Sequence, residues 1–281
     1  MSLTDVQWPR IEPLLPDGTQ RRGGRWRDHR QVIEAIAWKY RTGSPWEDMP
    51  SESGSWKGVY TRLRKWALDG AWERVFTALL AQADADGDLG WVVAVDSTVV
   101  RAHQHAAGAR KKGALAGEPE DHALGRSRGG LTTKVHLAAD DRCRPPAFVL
   151  TPGQAGDAPA FERVMATIRV PRPLGRPRVR PAMVLADKAY SPRAIRDHLR
   201  RRGIRAVIHQ SSGPMASRKR RGRHGGRPPG FDKAADRQPN TVERCMNKAQ
   251  EWRGLATRYD KTATIYQAGL HLAGILIRAA R

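Results

Sequence analysis

The chain has 281 residues, enough for a well-buried core and two domains. Its 50 Lys and Arg against 28 Asp and Glu give a formal charge of +22, which calls for a polyanionic partner, nucleic acid first, because phosphate neutralisation supplies most of such affinity. No apolar run approaches the roughly 20 residues of a membrane span and no leader pattern opens the chain, so it is expected in the cytoplasm, associated with the nucleoid and with no membrane partner.

Leu3-Thr4-Asp5-Val6-Gln7-Trp8 carries a helix-start signature: Thr4 is the N-cap, Gln7 stands three residues on, and Leu3 and Trp8 form an apolar staple. Asp28 caps a second helix that buries Val32, Ile33, Ile36, Ala37 and Tyr40 and stops near Gly43. Ser44-Pro45-Trp46-Glu47 predicts another capping box and a short helical turn. From Ser55 to Ala67, Trp56, Val59, Tyr60, Leu63 and Trp66 recur at helical spacing, while Lys57, Arg62, Arg64 and Lys65 fill the other positions. A basic face opposite an aromatic one suits a helix lying on DNA. Gly70 ends that helix, and residues 71–84 form another. Seven of the nine tryptophans lie in the first 72 residues, so residues 1–84 are expected to fold as a small all-α, helix-turn-helix-like domain with its own aromatic core.

After a polar boundary, Trp91-Val92-Val93-Ala94-Val95 runs without interruption into Asp96, which reads as a strand covered on both faces with an acid at its end. Residues 101–130, rich in Gly, Ala and charge, read as a long mobile loop. Residues 131–137 alternate like a strand with one covered face, Asp140-Asp141-Arg142 turns the chain, and residues 147–151 return it as a third strand. A helix over 157–168 and a Pro/Arg link lead to Met183-Val184-Leu185-Ala186-Asp187, again a short apolar strand delivering an acid. A helix from Ser191-Pro192 to Gly203 and a strand over 204–208 follow. The segment 209–239 lacks periodicity and reads as a basic loop around Arg218, Lys219, Arg220 and Arg221. Asn240-Thr241-Val242-Glu243 opens a helix with Val242, Met246, Ala249 and Trp252 on one side, and a last helix covers about 262–280. Cys143 and Cys245 have neither metal-ligand nor disulfide-framework spacing and read as packing residues in a reducing compartment.

Three acids stand out by context: Asp96 and Asp187 on apolar strands of one α/β sheet, and Glu243 on the first turn of a helix that can cross it. Carboxylates brought together repel and need cations, and hard oxygen ligands suit Mg²⁺ or Mn²⁺. Two such ions roughly 4 Å apart serve phosphodiester chemistry. Glu243 also stands at capping-box spacing from Asn240, and Asp187-Lys188 also reads as a surface ion pair, so spacing alone leaves both readings open.

Several stretches carry a resemblance: Arg41-Thr42-Gly43-Ser44-Pro45-Trp46, Val95-Asp96-Ser97-Thr98-Val99-Val100-Arg101-Ala102-His103, Lys134-Val135-His136, Ala186-Asp187-Lys188-Ala189-Tyr190, Val242-Glu243-Arg244-Cys245 and the run from Trp252 to Lys261. On these the chain resembles, over essentially its whole length, the DDE transposases of bacterial insertion sequences, in particular the insertion-sequence five group. The resemblance implies an RNase H-like mixed sheet flanked by helices over 91–281, preceded by a terminal-repeat-binding domain over 1–84. It also implies Asp96, Asp187 and Glu243 as the catalytic, metal-binding triad for two Mg²⁺ or Mn²⁺ ions. The implied partners are double-stranded DNA, as terminal inverted repeats and as target, and a second copy of the chain or more on that DNA. Lys188 and Tyr190 join the DNA contacts expected of this family. Where it usually carries Tyr, Arg and Lys around the glutamate, this chain has Asp236, Pro239 and Gln250, and Arg237, Arg244, Lys248 and Arg253 are the cations left to compensate in part. A DNA-binding protein without catalysis is the second reading that these departures leave open.

Overall fold

The computed structural model describes residues 3–18, 27–108, 121–228, 230–232 and 241–280. Asp236 and Pro239, two of the three departures from the family pattern, lie outside them, as do Arg237 and Asn240.

The chain opens as its sequence predicts. The Thr4 N–H donates to Gln7 Oε1 at 3.1 Å and the Gln7 N–H to Thr4 Oγ1 at 3.2 Å, a reciprocal cap before α1 (Trp8–Ile11). Asp28 caps α2 (His29–Thr42) by accepting the Gln31 N–H at 3.1 Å, and Gly43 ends it in the left-handed region at φ 70°. Trp46–Asp48 is a single 3₁₀ turn, but the expected capping box is not made. Pro45 occupies the cap position, and the Ser44 N–H donates to Thr42 Oγ1 instead. Helices α3 (Trp56–Leu68) and α4 (Ala71–Ala85) follow, separated by Gly70 at φ 73°.

The C-terminal part of the chain is built on strands β1 (Val92–Ala102), β2 (Gly125–Ser127), β3 (Gly130–Ala139), β4 (Ala147–Pro152), β5 (Met183–Ala186), β6 (Arg205–Ile208) and β7 (Thr257–Arg258). The order across the sheet is β4-β3-β1-β5-β6. The β1–β3 and β3–β4 pairs are antiparallel, and β1–β5 and β5–β6 are parallel. Strands β2 and β7 extend the far ends of β3 and β1. An antiparallel meander continued by parallel strands, with helices on both faces, is the RNase H-like arrangement. Helices α6 (Asp157–Thr167) and α7 (Arg193–Arg201) enclose one core with Val93, Val95, Phe161, Val184 and Leu199. Helix α9 (Thr241–Gln250), short α10 (Arg253–Ala256) and α11 (Ala263–Ala279) cover the other face.

Several expectations change here. The first four helices do not enclose a core of their own. Ile36, Tyr40, Leu63, Trp66, Phe76 and Leu79 join one continuous cluster with Leu255, Tyr266, Leu270 and Leu276 of the C-terminal helices and with Val135 and Phe148 of the sheet. Asp96 does not end its strand: β1 runs six residues further, paired along β3. Within β3, residues 135–139 are buried on both faces, not one, because helices lie against each side. Within the loop expected over 101–130, residues 101–102 continue β1, Gln104–Ala107 form α5, and 125–127 form β2; 109–120 lie outside the described residues. The basic segment is helical over α8 (Ser212–Arg220), a helix that buries none of its residues and therefore shows no apolar period. Cys143 and Cys245 are both buried and unpaired.

Candidate active site

The register of two parallel strands places the first two acids. Val95 pairs with Ala186, the last matched position of β1 and β5. One residue beyond, side-chain alternation turns Asp96 and Asp187 to the same face of the sheet, about one strand spacing of 4.8 Å apart. This is where β5 stops while β1 continues along β3, an edge at which open α/β sheets bind ligands. Helix α9 lies against that face, and Glu243 on its first turn completes a shared cleft of about 170 Å³ lined also by His209, Thr241 and Val242.

Each aspartate is anchored by one oxygen. Asp96 Oδ1 accepts the Ser97 N–H at 2.8 Å, and Asp187 Oδ1 accepts the Ala189 N–H at 2.8 Å, capping a 3₁₀ turn over Lys188–Tyr190. Burial pushes the Asp96 carboxyl above the ordinary range; the Ser97 N–H opposes this, while repulsion from Asp187, Asp157 and Glu243 adds to it. A cation would relieve that repulsion, and three carboxylates are a hard-oxygen donor set fitted to Mg²⁺ or Mn²⁺. Among the described residues no three His, Cys, Asp or Glu side chains stand close enough to share one ion in this conformation. Ions held by one or two carboxylates each, with water completing the shell, need no such convergence.

The remaining expected site residues divide. Lys57, Lys65, Lys188, Lys219, Arg220, Arg221, Arg244 and Arg253 are exposed, and Arg64, Lys248 and Arg218 are half-buried, the last donating to Gln210 at 2.8 Å. Arg62 does not belong to an exposed basic face: it is buried, stacked over Trp66, and hydrogen-bonded to His29 at 3.0 Å. Tyr190 is buried beside Phe161, so its ring serves the core and is out of reach of a phosphate. Gln250 donates to Thr98 Oγ1 at 3.0 Å, which ties α9 to β1. Sequence reasoning missed His209 in the cleft and Asp157 on the opposite face of the sheet, bonded to Ser97. Asp157 reads from sequence as an ordinary acid at a helix start. Burial alone would raise its pKa, but hydrogen bonds from Ser97 and Lys134 hold it below the ordinary range.

Comparison with known proteins decides the family. A family model described as "Putative transposase of IS4/5 family" matches residues 3–76, and the transposase DDE domain matches residues 88–276. The chain belongs to the DDE transposases. Among similar proteins, the insertion element IS402 uncharacterized 16.2 kDa protein of Burkholderia cepacia is 36% identical over 107 residues, covering 36% of this transposase and 73% of that protein. A transposase assigned to insertion sequence element IS6501 of Brucella ovis is 27% identical over 150 residues, 52% of this chain and 98% of that one. Of solved structures, a Mos1 transposase paired-end complex with the left transposon end matches at 13% identity and a TM-score of 0.26, covering 94% of this chain and 81% of that one, a likeness too slight to argue from. Among the described residues no helix of the transposase is long and apolar enough to cross a membrane.

Proposed function

We propose that the protein binds the terminal inverted repeats of its own insertion sequence and cuts and rejoins DNA there, with Asp96, Asp187 and Glu243 as the catalytic triad. The observation that carries this reading is the Val95–Ala186 register, which turns both aspartates into the cleft faced by Glu243. Bound by these carboxylates, two Mg²⁺ or Mn²⁺ ions would activate the attacking oxygen and offset charge on the leaving one. The backbone N–H groups of Ser97 and Ala189 hold the two aspartates in place before DNA arrives. In the first step water attacks the scissile phosphorus in line, the P–O bond to the departing strand breaks, and a 3′-hydroxyl is left at the element end. In the second, that hydroxyl attacks a phosphodiester of target DNA, so one bond forms as another breaks. The exposed Lys57, Lys65, Lys188, Lys219, Arg220, Arg221, Arg244 and Arg253 would neutralise phosphates of a bound duplex. Both ends of an element must be held together for the second step, which makes a dimer or larger assembly on DNA the working form.

One observation favours a second reading, DNA binding without cleavage: Gln250, where the family usually carries Lys, presents no cation and is bonded to Thr98. A labelled inverted-repeat duplex incubated with the protein, Mg²⁺ or Mn²⁺ and a target plasmid separates the two. Nicking at the repeat boundary followed by joining to the plasmid is the expected result. Binding of the duplex with no cut strand under either metal would select the second reading.

A further inference from the structure

The stretch Lys134-Val135-His136 has no part in the cleft. Its residues pair with β1 as Lys134–Val99 and His136–Ser97, and alternation turns both charged-type side chains to the face of the sheet opposite Asp96. There they meet the N-terminus of α6. Asp157 Oδ1 accepts the Ser97 hydroxyl at 2.5 Å and Lys134 Nζ at 3.1 Å, and the same ammonium donates to the Ala155 carbonyl at 2.7 Å. His136, fully buried, lies behind them with Nε2 2.8 Å from Thr151 Oγ1 and Nδ1 3.9 Å from Asp157 Oδ1. Ser97 is therefore held by two acids at once. Its hydroxyl donates across one face to Asp157, while its backbone N–H donates to Asp96 on the other.

We propose that Asp157 is a positioning residue for Asp96: acting through Ser97, and itself fixed by Lys134, it sets the peptide from which the Asp96 carboxylate reaches the cleft. The inference rests on the reading of Asp96 as a metal-binding carboxylate. A tether that merely docked α6 on the sheet would be felt in stability and leave the response to metal unchanged. A residue that orients a ligand acts on metal affinity, because a carboxylate free to rotate must be ordered again whenever an ion binds.

The test compares Ser97→Ala, Asp157→Ala, their double variant and Asp157→Asn in the full chain. It reads Mn²⁺ binding to the DNA-free protein from the spin resonance of the free ion, and the Mn²⁺ concentration giving half-maximal nicking. Ser97→Ala and Asp157→Ala are each expected to weaken Mn²⁺ binding and raise the half-maximal concentration about 10–100-fold, with metal-free binding of the repeat duplex unchanged. The double variant should be no worse than the worse single one, since both break the same linkage. Asp157→Asn keeps an oxygen for the Ser97 hydroxyl and should restore most of the affinity. Ser97→Ala keeps the result readable where Asp157→Ala loses stability by stranding Lys134. Unaltered Mn²⁺ binding in Ser97→Ala, or losses that multiply in the double variant, would overturn the proposal. Asp96→Ala is the control: if it binds Mn²⁺ and nicks like the parent, the reading of the cleft fails, whereas a silent Asp96→Ala beside unaffected Ser97→Ala removes the positioning role alone.

Discussion

Helix α11 contains two glycines, Gly269 and Gly274, whose replacement by alanine tests whether the N-terminal helices are built into the catalytic body. In a helix interior Gly→Ala ordinarily gains about 1 kcal/mol from propensity. Here a Cβ at position 269 would stand 2.7 Å from two ring carbons of Tyr40 on α2 and 3.1 Å from Leu255 Cδ2. At position 274 it would stand 2.7 Å from Phe76 on α4 and 3.2 Å from Phe148. Neither ring has room to yield. Tyr40 is buried with its hydroxyl within 3.1 Å of the Ile265 carbonyl and 3.2 Å of Asp260, and Phe76 is stacked on His271 at 5.2 Å. Overpacking of this kind costs about 1–3 kcal/mol, which cancels or outweighs the propensity gain and leaves a net loss of up to about 2 kcal/mol for each substitution. For a chain of this size that lowers Tm by up to about 8 °C, measurable by circular dichroism or by urea unfolding. A raised Tm in either variant would mean that α2 and α4 do not pack against α11.

Two further outcomes follow from charge. Burial lowers the pKa of His136 and of His271 to about 4, against about 6.5 for a free imidazole. Their contribution is full above pH 6.5 and is lost as pH falls from there towards 4, because only the unfolded chain takes up those protons; at pH 5 each should cost about 2 kcal/mol. Urea unfolding at pH 7 and pH 5 should show the fall, and His136→Gln/His271→Gln should flatten it; an equally steep double variant would contradict the assignment. Replacing Arg218, Lys219 and Arg220 of α8 by alanine should reduce the slope of log affinity for the repeat duplex against log salt by about 0.9 for each phosphate that is no longer neutralised. A slope that does not change would place α8 off the DNA.

The two strands that frame the cleft are legible because a strand covered on both faces is written as an unbroken apolar run, as 92–95 and 183–186 are. Asp28 and Gly43 mark the ends of α2 for equally local reasons. The continuation of β1 past Asp96 is not legible, because Ser97 and Thr98 find their partners in Asp157 and Gln250, 60 and 152 residues away. No local pattern announces such bonds. Helix α8 escapes a periodicity search because it covers nothing. The shared core escapes it for the opposite reason: the apolar stripes of α2, α3 and α4 are present in sequence, but a stripe does not say what it packs against. The small residues at 269 and 274 acquire meaning only beside Tyr40 and Phe76.

The triad can be tested most directly by single-turnover nicking of a terminal-repeat duplex in Mn²⁺ by the parent chain and by Asp96→Ala, Asp187→Ala and Glu243→Ala, with duplex binding measured alongside. The expected result is loss of nicking in all three variants with binding retained. Nicking at the parental rate by any one of them would contradict the assignment of Asp96, Asp187 and Glu243 to the chemistry.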